Sequence, residues 1–445
     1  MSGLRHGLWV LLLAWPGLAW AEQRFPPPDF SDHALPTTQF PGRESAAWEY
    51  VDLGVLALAL VLATYFALYT RSRRALFLLT IGSLVWLGFV RNGCICSIGA
   101  IQNVALAIAD PQYTIPLAAV GFFVLPLLFT LFFGRTFCAA VCPLGAVQEL
   151  VALRPVRVPG WLEHCLGLLP FVYLGAAVIF AATGTAFVIC RYDPFVAFFR
   201  LNGSLNMLMF GGGLLLLGVF VGRPYCRYLC PLGAMFRVLS PLSKWHVRIP
   251  PKECIRCRLC EDACPYGAIR EPTVAPAPQE RRRARRRLVV LLALLPLLVG
   301  GGWWLGTQLA IPLANLHPTV RLAERVRAEE TGVVEGTTDA SDAFRNTGRQ
   351  REQLYAEALR WFDLFRVSGA WLGAWVGLVV GVKLVTLSMR RRREDYEADR
   401  SGCVSCGRCF WYCPEEQLRL GLIQELPAIP ALAVQQEAGT TEAQR

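Results

Sequence analysis

Twelve of the 16 cysteines in this sequence stand in closely spaced groups of the kind that bind metals. Eight of the twelve form two runs of the pattern C-x2-C-x2-C-x3-C-P. In bacterial ferredoxins the first three cysteines of such a run hold one iron–sulfur cluster, and the fourth reaches the other cluster. The spacing therefore predicts two [4Fe–4S] clusters with exchanged fourth ligands. The predicted ligands are Cys254, Cys257, Cys260 and Cys413 for the first cluster and Cys403, Cys406, Cys409 and Cys264 for the second.

A four-cysteine zinc site is the alternative for each run. Structural zinc sites use separated pairs of cysteines, and three equally spaced cysteines before a Cys-Pro are rare among them. The sequence therefore favours iron–sulfur binding. A long stretch that contains a predicted pair of membrane-spanning helices separates Cys264 from Cys403. Because such a pair returns the chain to the side from which it started, we expect the two runs to form one split domain on one side of the membrane.

Four more cysteines form two C-x3-C-P motifs, Cys138 with Cys142 and Cys226 with Cys230. A spacing of four places both thiols on one side of a helical turn, and a proline suits the first turn of the helix that follows. Four thiolates that converge would favour a further iron–sulfur centre or Cu(I). Buried structural cysteines are the alternative.

A third group of cysteines, Cys94, Cys96 and Cys190, stands at the opposite ends of the predicted helices. The hypothesis for this group is a further redox centre near the exported surface, with a disulfide or unreactive thiols as alternatives. Haem is disfavoured, because the sequence has no C-x-x-C-H motif and its five histidines form no facing pair within the predicted spanning helices.

The two C-x3-C-P motifs belong to an internal repeat. Residues 133–146 recur as residues 221–234, each time with a Gly-Arg pair ahead of the cysteines. Both units enter the membrane in the same direction, so an axis along the membrane normal should relate them and bring the two cysteine pairs face to face. The repeated arginines, Arg135 and Arg223, would either stabilise an anionic thiolate centre or mark the membrane boundary.

Transmembrane helices are predicted to position these cysteines. The chain of 445 residues is 54% hydrophobic and only 17% charged, with a mean hydropathy of +0.40, which is typical of a membrane protein. The net charge of +11 does not indicate nucleic-acid binding, because the arginines cluster beside apolar runs. Seven apolar runs are long enough, or nearly so, to span a bilayer. They are Val51–Thr70, Ala75–Val90, Ile115–Phe133, Leu166–Ile189, Leu205–Val221, Leu288–Ala310 and Val367–Met389.

Four arginine groups predict the orientation of these helices. They are residues 71–74, Arg154 with Arg157, residues 281–287 and residues 390–393. All four fall at alternate helix ends, so placing them all in the cytoplasm satisfies the positive-inside rule. The amino terminus is then exported, and residues 1–21 have the basic start, apolar run and small-x-small end of a signal peptide or signal anchor.

The predicted fold is an all-α polytopic membrane protein with about seven spanning helices after a signal peptide. Residues 22–50 are a Pro-rich exported tail, and residues 51–245 are a membrane domain that holds both repeats. The first ferredoxin motif occupies residues 246–280 in the cytoplasm. Residues 288–389 form a transmembrane hairpin with an exported loop at 312–366. Residues 390–445 carry the second ferredoxin motif and a tail, also in the cytoplasm.

With these four motifs in this order, the sequence resembles the NosR/NapH/CcoG group of membrane polyferredoxins over about residues 50–270 and 400–415. The resemblance implies electron transfer across or along a bacterial inner membrane, toward an exported reductase or its maturation. NosR-like proteins carry a large exported flavin-binding domain. Residues 22–50 are too short for such a domain, which leaves room for a separate exported flavoprotein or reductase as the partner.

The predicted function is that of an electron-transfer component and not of a stand-alone enzyme. Electrons would come from a cytoplasmic donor or from quinol and pass to an exported, periplasmic redox partner. No nucleic-acid partner is expected. Two alternatives stay open: a cupric reductase or copper-handling protein, which the resemblance to the CcoG branch implies, and a redox-sensing assembly protein that acts through the exported loop.

Overall fold

The computed structural model describes residues 46–93, 97–153, 155–156, 158–249, 254–273, 278–315, 317–389 and 393–426. Several predicted features lie outside these residues. They are the signal peptide, residues 22–45 of the tail, Cys94 and Cys96, and the arginines at 154, 157 and 390–392.

The described residues are mostly helical, as the sequence predicts. Among the described residues, five helices are long and apolar enough to cross a membrane, so the chain is a membrane protein. They are Ala47–Tyr69, Arg73–Val90, Gly160–Ala182, Arg282–Ala314 and Arg351–Ser388. Each coincides with one of the seven predicted runs.

The other two predicted spans form shorter helices. Leu117–Phe133 has 17 residues and Leu205–Phe220 has 16. At 1.5 Å per residue they are about 26 Å and 24 Å long, which is less than the roughly 30 Å hydrocarbon core of a bilayer. Both lie near the lower limit of about 17 residues for a spanning helix, so the count of seven spans stays a prediction.

The helices of the membrane part are short and numerous. In chain order they are α1 Ala46–Thr64, α2 Arg73–Ser83, α3 Ala100–Ala109, α4 Leu117–Phe133, α5 Thr136–Ala140, α6 Pro143–Val151, α7 Gly160–Leu166, α8 Leu169–Ala182, α9 Val188–Arg191, α10 Val196–Phe199, α11 Leu205–Phe220, α12 Pro224–Tyr228 and α13 Pro231–Leu239. Two π-helical segments, Tyr65–Tyr69 and Leu84–Val90, continue α1 and α2, and a 3₁₀ turn, Ser240–Leu242, follows α13. The sequence analysis did not predict α3, whose ten residues are too few for a span.

Each C-x3-C-P motif lies on a pair of short helices. Cys138 is in α5, and Cys142 caps α6, which begins at Pro143. Cys226 and Cys230 take the same places in α12 and at the start of α13. Because the first turn of a helix leaves its backbone N–H groups unbonded, a proline there loses no hydrogen bond. The motif therefore starts a new helix directly after its second cysteine.

A close antiparallel hairpin forms the later part of the membrane region. Its helices are α15 Pro278–Ala314 and α18 Arg351–Ser388. Gly302 faces Gly373 and Gly306 faces Gly369, so closely that a Cβ at any of these positions would overlap the opposite backbone. Small residues four apart permit such an approach in membrane helices.

The segment between α15 and α18, predicted as an exported loop, is largely helical. It contains α16 Pro318–Glu330 and α17 Asp339–Asn346. Both helices pack against the first part of α18 around buried Val320, Phe344 and Leu354. The predicted loop is thus a small helical unit with its own apolar centre.

A two-stranded antiparallel sheet joins the two ferredoxin motifs. Its strands are β1 Ile269–Arg270 and β2 Glu397–Ala398, with Ile269 opposite Ala398 and Arg270 opposite Glu397. Three short helices complete the two motifs: α14 Leu259–Asp262, α19 Arg408–Tyr412 and α20 Pro414–Arg419. We call residues 254–273 and 393–426 together the ferredoxin unit.

Candidate iron–sulfur sites

Two cavities in the ferredoxin unit are lined by the two predicted sets of ligands. Cavity A, of about 330 Å³, is lined by Cys254, Cys257, Cys260 and Cys413. Cavity B, of about 340 Å³, is lined by Cys264, Cys403, Cys406 and Cys409. Each cavity therefore receives three cysteines from one run and the fourth from the other run. The predicted ligand sets depend on this exchange of the fourth cysteine between the two runs.

The backbone turns in the same way in both runs. Arg256 and Arg258 in the first run have φ values of 54° and 63°, and Ser405 and Gly407 at the matching positions of the second have 55° and 75°. A left-handed conformation costs a non-glycine residue roughly 1–2 kcal/mol. Three non-glycine residues adopt it here, which lets each tight loop bend around its cavity.

Burial disfavours free thiolates in these cavities. Burial, together with the neighbouring cysteines, raises the pKa of the Cys260 thiol and that of the Cys403 thiol to about 12. Thiolates at such sites require a bound cation, because metal binding supplies the countercharge that burial removes. The donor set therefore fits a thiolate-ligated metal group.

The four cysteines of the two repeats line a third cavity. Cavity C, of about 300 Å³, is lined by Cys138, Cys142, Cys226 and Cys230 together with apolar side chains and Arg135. The face-to-face meeting of the two cysteine pairs is the arrangement that the repeat predicted. Cavity C resembles cavities A and B in volume and in its four thiol donors.

Four cysteines line each of the three cavities. Among the described residues, no group of three or more His, Cys, Asp or Glu side chains is close enough to hold a single metal ion. Four thiols around a cavity fit an iron–sulfur cluster, whose iron atoms occupy separate corners.

Hydrogen bonds reach the sulfur atoms of cavity C. The Gln148 side chain donates from Nε2 to Cys226 Sγ at 3.4 Å, and the Gly233 backbone N–H donates to Cys230 Sγ at 3.3 Å. Arg135 Nη2 lies 3.9 Å from Cys138 Sγ. Donors to the ligating sulfurs and nearby positive charge raise the reduction potential of a cluster. The environment of cavity C can therefore tune a redox centre.

The three cavities form a series. Cysteines of cavities A and B share one buried cluster in the ferredoxin unit. Cys138 of cavity C packs against the same buried group, Tyr266, Ala268, Val404 and Cys406, as Cys264 and Cys403 of cavity B, and Arg135 Nη1 donates to the Ser401 carbonyl at 3.1 Å. Cavity B therefore lies between cavity A and the membrane cysteines.

The predicted outer cysteine site is only partly described. Cys190 is exposed, and its backbone N–H donates to the buried Gln102 side chain at 3.3 Å. Cys94 and Cys96 lie outside the described residues. Ile98, two residues after Cys96, lines cavity C. The outer site stays a prediction.

The sequence analysis missed a buried carboxylate between the membrane helices and the ferredoxin unit. Glu149 in α6 is 4% exposed and contacts three arginines and one tyrosine. Its Oε1 lies 2.6 Å from Arg73 Nη2 and 2.8 Å from Arg408 Nη2. Its Oε2 lies 3.1 Å from Arg223 Nε and accepts a hydrogen bond from the Tyr266 hydroxyl at 2.6 Å.

These partners keep Glu149 ionised. Burial alone would raise its pKa, but the three arginines and the Tyr266 hydroxyl together hold the pKa well below its usual range. A sequence signal for this residue exists: Glu149 is the only acidic residue between Asp110 and Glu163. Burial of a lone carboxylate costs free energy through desolvation, so a carboxylate beside boundary arginines is a candidate functional residue.

Comparison with known proteins supports the binding of iron–sulfur clusters. A family profile described as a 4Fe-4S binding domain matches residues 115–161 and again residues 204–250. A second profile with the same description matches residues 247–270. The first profile covers both C-x3-C-P motifs, and the second covers the first ferredoxin run.

Among similar proteins, NirI from Paracoccus denitrificans is 36% identical over 154 residues, which cover 31% of this chain and 22% of NirI. The putative electron transport protein YccM from Escherichia coli is 27% identical over 186 residues, 38% of this chain and 52% of YccM. The regulatory protein NosR from Stutzerimonas stutzeri is 26% identical over 206 residues, 42% of this chain and 28% of NosR.

The aligned part thus spans between about a fifth and about a half of the length of each of these relatives. No solved structure matches the chain. The matches confirm the resemblance to the NosR/NapH group of membrane ferredoxin-type proteins and support a role in electron transfer.

Proposed function

From this resemblance to membrane ferredoxin-type proteins, we propose that the chain conducts electrons across a bacterial inner membrane, with its three cysteine cavities as redox sites. The observation that carries the proposal is the series of cavities A, B and C, in which Cys138 packs against the same buried residues as Cys264 and Cys403. Iron–sulfur clusters take up and release single electrons at thiolate-bound iron. The residues proposed to hold them are the four cysteines of each cavity.

The position of cavity C supports a path that leads into the membrane. Helix α6 runs beside α2 and its π-helical continuation: Glu149 near its end pairs with Arg73 at the start of α2. Pro143 and Leu144 at its start line an apolar cavity with Leu87. The nine residues of α6 are about 13 Å long, so Cys142 lies well inside the boundary that Arg73 marks.

The environment of the cysteines supports the same proposal. Cys142 and Cys230 are buried, and the walls of cavity C are otherwise mostly apolar, which excludes water from the site. Arg135 and Arg223 place positive charge beside thiolates that would otherwise be uncompensated. The alternative interpretation of these arginines as simple boundary residues is disfavoured, because both are buried and hydrogen-bonded.

We further propose the orientation predicted by the arginine groups, with the ferredoxin unit in the cytoplasm. Arg71 and Arg73 support it, since both contact this unit: Arg71 Nε lies 2.8 Å from Glu416 Oε1, and Arg73 Nη1 donates to the Cys406 carbonyl at 2.8 Å. A cytoplasmic donor or quinol would supply electrons, and an exported flavoprotein or reductase would accept them. The chain acts as a component of this system and not as a stand-alone enzyme.

Metal content and spectroscopy of anaerobically purified protein test the proposal. Three clusters require about twelve iron atoms and about twelve acid-labile sulfides per chain. EPR of the reduced protein in detergent should show three interacting centres. Iron near eight atoms per chain, with spectra unchanged in Cys138→Ser and Cys226→Ser variants, would remove the centre in cavity C. Iron-free protein would overturn the proposal.

A further inference from the structure

We propose that Glu149 is the positioning residue that aligns the ferredoxin unit with cavity C and sets the local charge between cavities B and C. The inference rests on the proposed electron-transfer function and goes beyond it by naming the residue that joins the two redox regions.

The first argument is geometric. The carboxylate of Glu149 binds groups from four separate parts of the chain: Arg73 at the start of α2, Arg223 before the second C-x3-C-P motif, Tyr266 after the first ferredoxin run and Arg408 within the second run. Two partners belong to the membrane part and two to the ferredoxin unit. A single side chain thus fixes both halves of the split unit against the membrane helices.

The second argument is that these partners are themselves next to the cysteines. Arg408 lies between Cys406 and Cys409 in sequence, and Arg73 donates to the Cys406 carbonyl. Arg223 donates from Nη1 to the Cys138 carbonyl and from Nη2 to the Ala139 carbonyl at 3.4 Å. A displacement of Glu149 would therefore move ligands of both cavity B and cavity C.

The third argument is that only one repeat provides this contact. The residue 88 positions after Glu149 is Arg237, which donates to the Arg227 and Gly167 carbonyls. The second repeat approaches the ferredoxin unit at a different position, Gly222, where a Cβ would lie 3.0 Å from Pro265. A membrane part built from two similar units thus docks one ferredoxin unit through a contact that the second unit does not duplicate.

The fourth argument is electrostatic. Glu149 is within electrostatic reach of Cys406, and Arg223 is within reach of both Cys226 and Cys406. One carboxylate against three arginines leaves an excess of positive charge beside thiolate sites. Removal of the negative charge would increase that excess, and a more positive environment favours the reduced form of a cluster.

The test uses the full-length protein in detergent with its clusters bound. Glu149→Gln removes the charge and keeps the size, whereas Glu149→Asp keeps the charge and shortens the side chain. Glu329→Gln is the matched control, because Glu329 also binds two arginines and a hydroxyl group, at distances of 2.8, 2.6 and 3.0 Å, but lies in the helical unit between α15 and α18.

EPR-monitored potentiometric titration should show a higher midpoint potential for at least one cluster in Glu149→Gln and unchanged potentials in Glu149→Asp and Glu329→Gln. Rapid-freeze EPR after addition of one reducing equivalent should show slower reduction of the cavity C centre in both Glu149 variants. A merely structural role would not shift a potential while iron content stays constant.

Wild-type potentials and rates in a Glu149→Gln protein with full iron content would overturn the inference. If Glu149→Gln loses iron, Tyr266→Phe, which removes one hydrogen bond to Glu149 and keeps the ring, provides the rate comparison, and a wild-type rate there would also count against it. Failure of the proposed function looks different, because wild-type protein itself would then lack a reducible centre in cavity C.

Discussion

The two C-x3-C-P repeats share a sequence pattern, but the structure gives them different surroundings. In the first repeat Gly134 adopts the left-handed backbone conformation, with φ of 74°, whereas in the second Arg223 adopts it, with φ of 49°. Seven positions after the second cysteine of its motif, the first repeat has Glu149 and the second has Arg237. The repeats contribute equally to cavity C and unequally to the docking of the ferredoxin unit.

This difference shows how a membrane part built from two similar repeats can bind a single ferredoxin unit. The cysteines need only the spacing of the motif to meet in one cavity. The docking contact needs a negative charge on one repeat only. The reason is that Arg408 and Tyr266 of the ferredoxin unit both bind the same carboxylate, that of Glu149. Substitutions at matched positions of the two repeats can therefore distinguish the role that both repeats share, the lining of cavity C, from the role that they do not share, the docking of the ferredoxin unit.

The largest effect is expected from the cysteines, where the repeats should behave alike. Cys142→Ser and Cys230→Ser should each lose the same centre, a fall of about four iron atoms per chain. Iron and sulfide analysis of the purified variants measures this loss. Cys165→Ser is the control, because Cys165 is exposed and lines none of the three cavities. Loss of iron from one repeat's variant only would contradict equal contributions.

A smaller effect is expected at the position where the repeats differ. Glu149→Ala leaves three arginines without their buried counter-charge and should destabilise the docked unit by about 3–5 kcal/mol. Arg237→Ala removes hydrogen bonds to two carbonyls and should cost about 1–2 kcal/mol. Thermal unfolding in detergent and the rate of tryptic cleavage within residues 393–426 report the difference. Equal sensitivity of the two variants would mean that the docking is symmetric.

The smallest effect is expected at the glycines ahead of the arginines. A Cβ at Gly222 would lie 3.0 Å from both the Cβ and the carbonyl oxygen of Pro265, whereas one at Gly134 would meet nothing closer than 3.8 Å. Gly222→Ala should therefore loosen the ferredoxin unit and speed its proteolysis. Gly134→Ala should cost about 1–3 kcal/mol through backbone strain, because φ of 74° with ψ of −161° is essentially restricted to glycine, without exposing that unit. Faster proteolysis in Gly134→Ala alone would reverse this interpretation of the two repeats.

Much of the fold and of the candidate sites could be predicted because the signals are local. Five of the seven apolar runs form helices long enough to span a membrane, since hydrophobicity over about 20 residues suffices to define such a helix. The cysteine quartets that line cavities A, B and C are those that the spacing predicts. The tight loop of each ferredoxin run restricts the directions that its first three cysteine side chains can take.

Other features could not be predicted, because they depend on contacts between distant residues. The sequence assigns Arg71 and Arg73 to the membrane boundary, but their contacts with Glu416 and Glu149 join residues 345 and 76 positions apart. Helix α3 is too short to be recognised as a span, and its role appears only when Gln102 meets the backbone of Cys190. Such pairings have no periodic signature.

The cysteine spacing, the helices that begin at a proline and the apolar segments can be read from the sequence alone, because each depends only on residues close together in the chain. Only the tertiary structure decided that cavity C adjoins cavity B and that Glu149 joins them. The physical reason is that a buried carboxylate is stable only where several cations converge on it. That convergence exists here only after four separate segments have packed together.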